Sequence, residues 1–475
     1  MVGNNKTIAS NSTIVISAEM LNKLIRIVLV VFSARLLGDT NYGKFTFALA
    51  FTTLFLIITD MGTHQLLVRE LARKPEMIKK YLGNALVIKL FLSLFYLTSV
   101  FLIINLANKS SDVVTTVYIF AIYQIFISFN LFFKSVFQAF QRIKYDAVAT
   151  LLQTILDTSF GITILLLGGN FQLLASMYLL ASFLTLVYCL RIVTTKFSSL
   201  SLEVDFSTVK FFFREGLPFG IIIFFAMMYT YIDSVMLSLM VNDEVVGWYN
   251  AAYRLVFTML VVPTVIRKAV FPALSKFYKE SIADFTRLFE ETFKVMLFLG
   301  VSLAFLISLL ADKIILLFYG KEYINAAGAL QILVWGTALI FSTTVMTHAT
   351  RSANRQRFTA KVVGFGAFLN LGLNFVFIPK YSYIGAAFAT LITEASTFLF
   401  HLIYLSNKLV KPPVLKLLPK ILIINIVMCI YILVFRELNI FLLFVTGLIV
   451  NGIMTGIIHY FTKDELAFLK GLLKF

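Results

Sequence analysis

The feature that most constrains this chain is a run of fourteen apolar stretches, each long enough to cross a membrane. A hydrocarbon core of ~30 Å takes about 20 helical residues, and stretches of that order recur almost without pause. They lie at Ser12–Leu37, Tyr42–Thr63, Leu82–Leu106, Val113–Val136, Ala147–Leu167, Phe171–Val193 and Leu217–Met240. The rest are Val246–Val265, Val295–Leu317, Ala326–Thr347, Phe358–Ile378, Tyr383–Leu405, Leu417–Phe435 and Ile440–Phe461. Continuous apolarity, rather than ten-residue alternation, predicts helices and excludes a barrel. The expected fold is therefore an all-α polytopic membrane protein with about fourteen transmembrane helices. Only 14% of the 475 residues are charged, against roughly a quarter in a soluble domain, so no sizeable soluble domain fits between the spans.

Charge gives the orientation. With the N-terminus placed in the cytoplasm, the inner loops carry 29 Lys and Arg residues and the outer loops 6. This is the asymmetry that orients membrane proteins, and it predicts both termini in the cytoplasm of a multi-pass cell-membrane protein. The net charge of +17 then reflects short basic segments at one membrane surface, where they meet anionic lipid headgroups. A nucleic-acid partner is not expected, because such a binder gathers its basic residues on one face. The first stretch holds Glu19, Lys23 and Arg26, so it reads as a retained span and not a signal peptide. Cys189 and Cys429 both lie in apolar spans and predict no disulfide framework.

A weak repeat divides the chain. Asp39-x-x-x-Gly43 follows the first span and Asp243-x-x-x-Gly247 the seventh; Gln141-Arg142 joins spans four and five, and Asn354-Arg355 joins ten and eleven. Both pairs are six spans apart. They predict two parallel six-helix bundles, at residues 1–200 and 201–410. Two additional helices and a cytoplasmic tail fill 411–475. Substrate sites commonly lie between such repeats.

The same segments carry a family resemblance. Ala34-Arg35-Leu36-Leu37-Gly38 through Tyr42-Gly43, Asp60-Met61-Gly62, and Arg214-Glu215-Gly216-Leu217-Pro218 leading to Tyr231-Ile232-Asp233 look like the oligosaccharide (O-antigen and capsule repeat-unit) flippases. Phe271-Pro272-Ala273-Leu274, Phe318-Tyr319-Gly320 and Gly385-Ala386-Ala387 continue the likeness over nearly the whole chain. That family belongs to the multidrug, oligosaccharidyl-lipid and polysaccharide exporter superfamily. The resemblance implies a two-bundle fold and transbilayer movement of a polyprenyl-(pyro)phosphate-linked oligosaccharide by alternating access. It also implies a groove for the lipid tail at spans thirteen and fourteen.

Ionisable residues inside spans cost at least ~2.5–3.5 kcal/mol at a helix centre, so they mark candidate sites. Lys23 and Arg26 share a helical face with Glu19. They form either a cationic wall for a diphosphate, which Arg can fork, or a structural set in which Glu19 neutralises Lys23. Arg254 in span eight is the second-bundle counterpart, with a salt bridge to Asp233 as the alternative. Arg35 and Lys134 are further candidates for the substrate, each close enough to a span end to snorkel instead. Asp157, Glu394 and Asp233 are candidate carriers of a coupling H⁺ or Na⁺. No other cofactor and no metal site is expected. His64, His348, His401 and His459 are scattered and read as packing or surface residues.

No nucleotide loop, zinc-protease helix or nucleophile elbow is present in the sequence, so a non-enzyme is expected. The alternative reading is a multidrug or cation antiporter of the same superfamily. Such a site should be acidic and apolar, whereas span one is cationic. Expected partners are the lipid-linked oligosaccharide, membrane lipids, and glycan polymerases or transferases; a monomer is expected.

Overall fold

The computed structural model describes residues 2–200, 204–462 and 465, and the side chains among them except those of 2–20, 268 and 269. Helices account for nearly all of it, as they must where backbone N–H and C=O groups have no water to bond. In chain order they are α1 (Val2–Phe55), α2 (Thr63–Arg73), α3 (Ile78–Leu106), α4 (Ser111–Ala139), α5 (Ile143–Leu166), α6 (Phe171–Lys196) and α7 (Phe206–Met240). They continue as α8 (Asp243–Met259), α9 (Val261–Glu280), α10 (Ile282–Leu309), α11 (Ala311–Phe318), α12 (Ala326–Ser352), α13 (Gln356–Lys408), α14 (Val414–Val434) and α15 (Ile440–Ile457).

Eleven described helices are long and apolar enough to cross a membrane. One of them, α13, is folded back at Ser382 (φ 53, ψ −137) and supplies two spans. The first helix is likewise broken at Gly38 (φ 75, ψ 168) and adds two more. The total is the fourteen read from hydropathy. Two boundaries move. Span nine ends at Leu309, and the apolar residues beyond it form the separate short helix α11. Span two ends in a turn of 3₁₀ helix, Leu56–Thr59, after which the chain bends by 43° into amphipathic α2.

The chain divides into two compact units, Met1–Gly247 and Trp248–Phe475. In the first, α1 packs on α4, α5 and α7. A core of Leu66, Leu71, Leu82, Phe132, Phe137, Val193 and Phe212 binds α2, α3, α4, α6 and α7 at one end. Asp205 ties α7 there: its carboxylate caps the helix through Ser207 N (3.0 Å) and Thr208 Oγ1 (2.9 Å) and pairs with Lys80 at 2.5 Å. Its backbone N–H donates to Asn84 Oδ1 at 2.7 Å. These bonds, the Lys80 ammonium foremost, hold the Asp205 carboxyl well below the usual range.

In the second unit, Phe289, Phe293, Met296, Phe341, Met346 and Ile421 join α10, α12 and α14. Spans thirteen and fourteen are held to α10 by polar as well as apolar contacts. Asn451 Nδ2 donates to Asn425 Oδ1 (3.1 Å) and to Ser302 Oγ (3.4 Å), all buried. Small polar side chains of this kind join helices where lipid supplies no hydrophobic drive.

Candidate functional site

Two of the charged side chains inside the first unit meet where α1 packs on α5. Along α1, Leu21, Leu24, Val28 and Phe32 form one exposed apolar stripe, while Asn22, Leu29 and Ser33 form a buried stripe on the opposite side. By helical spacing Arg26 belongs to the second stripe, yet it is exposed. Arg26 is therefore exposed on the side of the helix that carries the buried stripe and not on the apolar outer stripe. Lys23, one turn earlier on the adjoining face, is half-buried and engaged with a neighbour. The side chain of Glu19 lies outside the described residues.

Arg26 sits level with Asp157. Gly161, one turn beyond Asp157, meets Leu29, one turn beyond Arg26; a Cβ on Gly161 would stand 2.8 Å from Leu29 Cδ1. That close approach of α5 to α1 puts the two charges in one layer, where Arg26 acts electrostatically on Asp157. Asp157 is 2% exposed. Its Oδ1 accepts from Gln153 Nε2 at 2.8 Å, while Oδ2 has no hydrogen-bond partner among the described residues. Asn22 Oδ1, Gln153 Oε1 and Thr154 Oγ1 are also buried without partners among the described residues. Aromatic hydroxyls line the same layer: Tyr123 feels both Arg26 and Asp157 and also Tyr178 and Tyr231, and its ring meets that of Tyr178 edge-on at 5.9 Å. The first unit thus holds an exposed cation, a buried carboxylate on which it acts, and a tyrosine that feels both.

The remaining candidates separate. Arg35 is exposed on the same stripe as Leu24 and Val28, three residues before the break at Gly38, and is not on the Arg26 face. Lys134 is held by Asp146 Oδ1 (2.7 Å) and Thr150 Oγ1 (2.5 Å). Asp233 is buried and engaged on α7. In the second unit, Arg254 is half-buried and engaged, next to Tyr253, which stacks between Tyr249 and Phe257. Glu394 is buried on α13, where Thr397 Oγ1 donates to its Oε2 at 3.4 Å and Gly336 of α12 leaves room for its stem.

Charge scanning passes over several polar groups that the fold brings in. Gln153 and Tyr123 belong to the Arg26 layer. In the second unit, Asn374 Nδ2 donates to Asn370 Oδ1 at 3.0 Å, both fully buried, and Tyr249 bonds Thr390 at 3.3 Å. A buried amide at helical spacing on an otherwise apolar face was the signal available for these. Lys89, close to the cytoplasmic end of its span, reads from the sequence as a snorkelling residue, and the structure corrects this. It is fully buried near the bend that follows span two, with Nζ 3.3 Å from Asp60 Oδ1 and 3.4 Å from Thr59 O, between the rings of Phe129 and Phe132. Among the described residues no group of three or more His, Cys, Asp or Glu side chains is placed to hold a metal ion.

The family described as polysaccharide biosynthesis protein matches residues 8–278, and the MatE family matches 218–376. A capsular polysaccharide biosynthesis protein, CapF, of Staphylococcus aureus is 22% identical over 79% of this chain and 94% of its own. A putative O-antigen transporter of Shigella dysenteriae is 22% identical over 80% of this chain and 96% of its own. Among solved structures, the lipid II flippase MurJ in an inward closed conformation superposes with a TM-score of 0.80 at 15% identity, covering 94% of this chain and 98% of that one.

Proposed function

The chain belongs to the polysaccharide biosynthesis protein family, within the multidrug, oligosaccharidyl-lipid and polysaccharide exporter superfamily, and from that premise we propose that it flips a polyprenyl-(pyro)phosphate-linked oligosaccharide to the outer leaflet by alternating access. The observation that carries the reading is Arg26: an exposed arginine on the side of span one that carries the buried stripe, acting electrostatically on a buried carboxylate. Holding an arginine there is costly. A diphosphate offers it paired oxygens in fork geometry. Lys23 adds positive charge one turn away, and Tyr123 and Tyr178 offer ring faces of the kind that sugar C–H groups pack against. The polyprenyl tail stays in lipid, so only the hydrated head needs the polar path. We assign substrate contact to Lys23 and Arg26 first, with Arg254 as the counterpart in the second unit. Lys134 and Arg35 rank below them, because one is already paired and the other shares the apolar stripe.

Charge asymmetry favours cytoplasmic termini in the cell membrane. The driving cation, H⁺ or Na⁺, belongs in this reading at one of the buried carboxylates Asp157, Asp233 or Glu394.

The deciding experiment is transport per folded molecule in liposomes, with lipid-linked sugars and cationic drugs offered side by side. Arg26→Glu should abolish sugar-lipid transport while membrane abundance holds, and Arg26→Lys should retain part of it. Asp157→Asn and Glu394→Gln are run in parallel with and without an ion gradient; full gradient-driven transport by both would exclude them as coupling sites. Normal transport by a well-folded Arg26→Glu protein would remove span one from the path. Drug transport without sugar-lipid transport would favour the antiporter suggested by the MatE match.

A further inference from the structure

A second cationic cluster lies in the second unit, at the end of α12 that carries Ser352 (the cytoplasmic end in the orientation proposed above). Ser275 of α9 bonds Ser352 of α12 through their hydroxyls at 3.1 Å, which holds the two helices together there. One turn deeper, Phe271 packs edge-on against His348 with ring centroids 5.3 Å apart. Deeper again, Arg267 and His348 border a narrow cavity with Pro263 and Ile266, of a size for about one water. Arg351, the next residue on that face of α12, is exposed, as is Arg267.

The three side chains act electrostatically on one another. Arg267 and Arg351 are close enough for their charges to repel, and both act on His348. Neither arginine has a carboxylate partner among the described residues. His348 is 8% exposed, and its Nδ1 has no hydrogen-bond partner among the described residues. The neighbouring groups are committed elsewhere. Glu291, on the stretch of α10 beside the cavity, pairs with Arg287 at 2.9 Å, and Arg355 donates to Tyr404 while lying over its ring. His401 is taken by Thr347 and Thr397 O. Arg267 and His348 border one opening and Arg351 lies one turn along α12 from His348, so two guanidiniums and a buried imidazole nitrogen stand near it without a carboxylate partner among the described residues, and an anion would lower the energy.

We infer that Arg267, His348 and Arg351 form a phosphate-binding station that takes the phosphate or diphosphate head group of a lipid at the mouth of this cavity. The forked donors of two arginines suit adjacent phosphate oxygens, and Phe271 fixes the imidazole between them. With a polyprenyl diphosphate as occupant, which rests on the transport reading above, the station loads cargo in the second unit before it reaches Arg26. With an ordinary anionic phospholipid as occupant, it is a lipid anchor.

The test uses the full chain in phosphatidylcholine nanodiscs and measures binding of a radiolabelled polyprenyl diphosphate, with thermal stability in inorganic pyrophosphate or phosphatidylglycerol. Arg267→Gln with Arg351→Gln should weaken polyprenyl diphosphate binding by about tenfold to a hundredfold and abolish the pyrophosphate-induced stabilisation. Arg267→Lys with Arg351→Lys should keep part of both. Without anion, Arg351→Gln alone should melt no lower than wild type, because it removes one of two repelling charges; a structural role predicts a lower midpoint. Loss of the phosphatidylglycerol effect with unchanged polyprenyl diphosphate binding would identify a phospholipid as the occupant. If the double glutamine variant responds to all three probes as wild type does, or if Arg351→Gln melts lower and the anion effects persist, the station does not exist. Binding at the cluster by a protein that moves no lipid-linked sugar would instead refute the transport reading and leave the station standing.

Discussion

The Asp-x-x-x-Gly repeat makes a contact whose removal can be sized from the structure. Gly43 of the first copy lies against the backbone of Asp243 in the second, and Gly247 lies against the backbone of Asp39. A Cβ added to Gly43 would stand 2.7 Å from the Asp243 carbonyl carbon, closer still to its oxygen, and 3.0 Å from Gly247 N. Lys109 holds Asp243 in place with Nζ 3.1 Å from its Oδ1 and 2.6 Å from Ser238 O. The obstacle is thus pinned backbone and not a side chain that can swing away. In Gly43→Ala the gap must open from 2.7 Å to the ordinary 3.4 Å or more. Overpacking of this kind costs about 1–3 kcal/mol, against a gain of up to ~1 kcal/mol for replacing glycine in a helix. The net expectation is a loss. Gly372→Ala and Gly452→Ala, with nothing within 4 Å of the added carbon, should be neutral or mildly stabilising and serve as controls. Thermal unfolding of the full chain in detergent reads the difference, and transport is measured beside it. A Gly43→Ala protein that melts and transports like the two controls would refute the argument from clearance.

Three further outcomes follow from other parts of the fold. Asp205 carries a depressed folded pKa owing first to its bond with Lys80, so its contribution to stability should be full above the ordinary aspartate value and fall as pH drops through that value toward the folded one. Acid unfolding curves should show Asp205→Asn flattening that limb, and an unchanged limb would count against the tie. Lys89→Met leaves Asp60 without its cation next to a tight bend and should cost about 3–5 kcal/mol if the pair behaves as buried, with Lys89→Met plus Asp60→Asn recovering part; equal melting of single and double variants would argue against pairing. In a background lacking Cys189 and Cys429, cysteines placed at Gly169 and Asn242 should react with an impermeant reagent added outside intact cells. Those at Ser198 and Asn407 should stay unlabelled, and labelling at Ser198 would break the fourteen-span topology.

Hydropathy alone determined the number of spans, because burying a backbone in lipid is a local requirement that each stretch must meet by itself. The breaks at Gly38 and Ser382, which turn two continuous helices into four spans, fall in the short gaps between apolar runs. The cost of Arg26 and Asp157 was legible for the same reason, since each is expensive wherever its helix goes. Which charges meet is a property of packing between helices, and that was decided only in three dimensions. Lys134 found Asp146, Lys89 found Asp60, and Arg35 came out on the apolar stripe. Arg26 came level with Asp157 because Gly161 lets α5 close on Leu29. Gln153, Tyr123, Asn370 and Asn374 carry no charge to betray them, and the cluster of Arg267, His348 and Arg351 joins residues from two helices whose facing sides no spacing rule reveals. A helix's own period says which residues share a face; only the neighbour that covers that face turns it into a site.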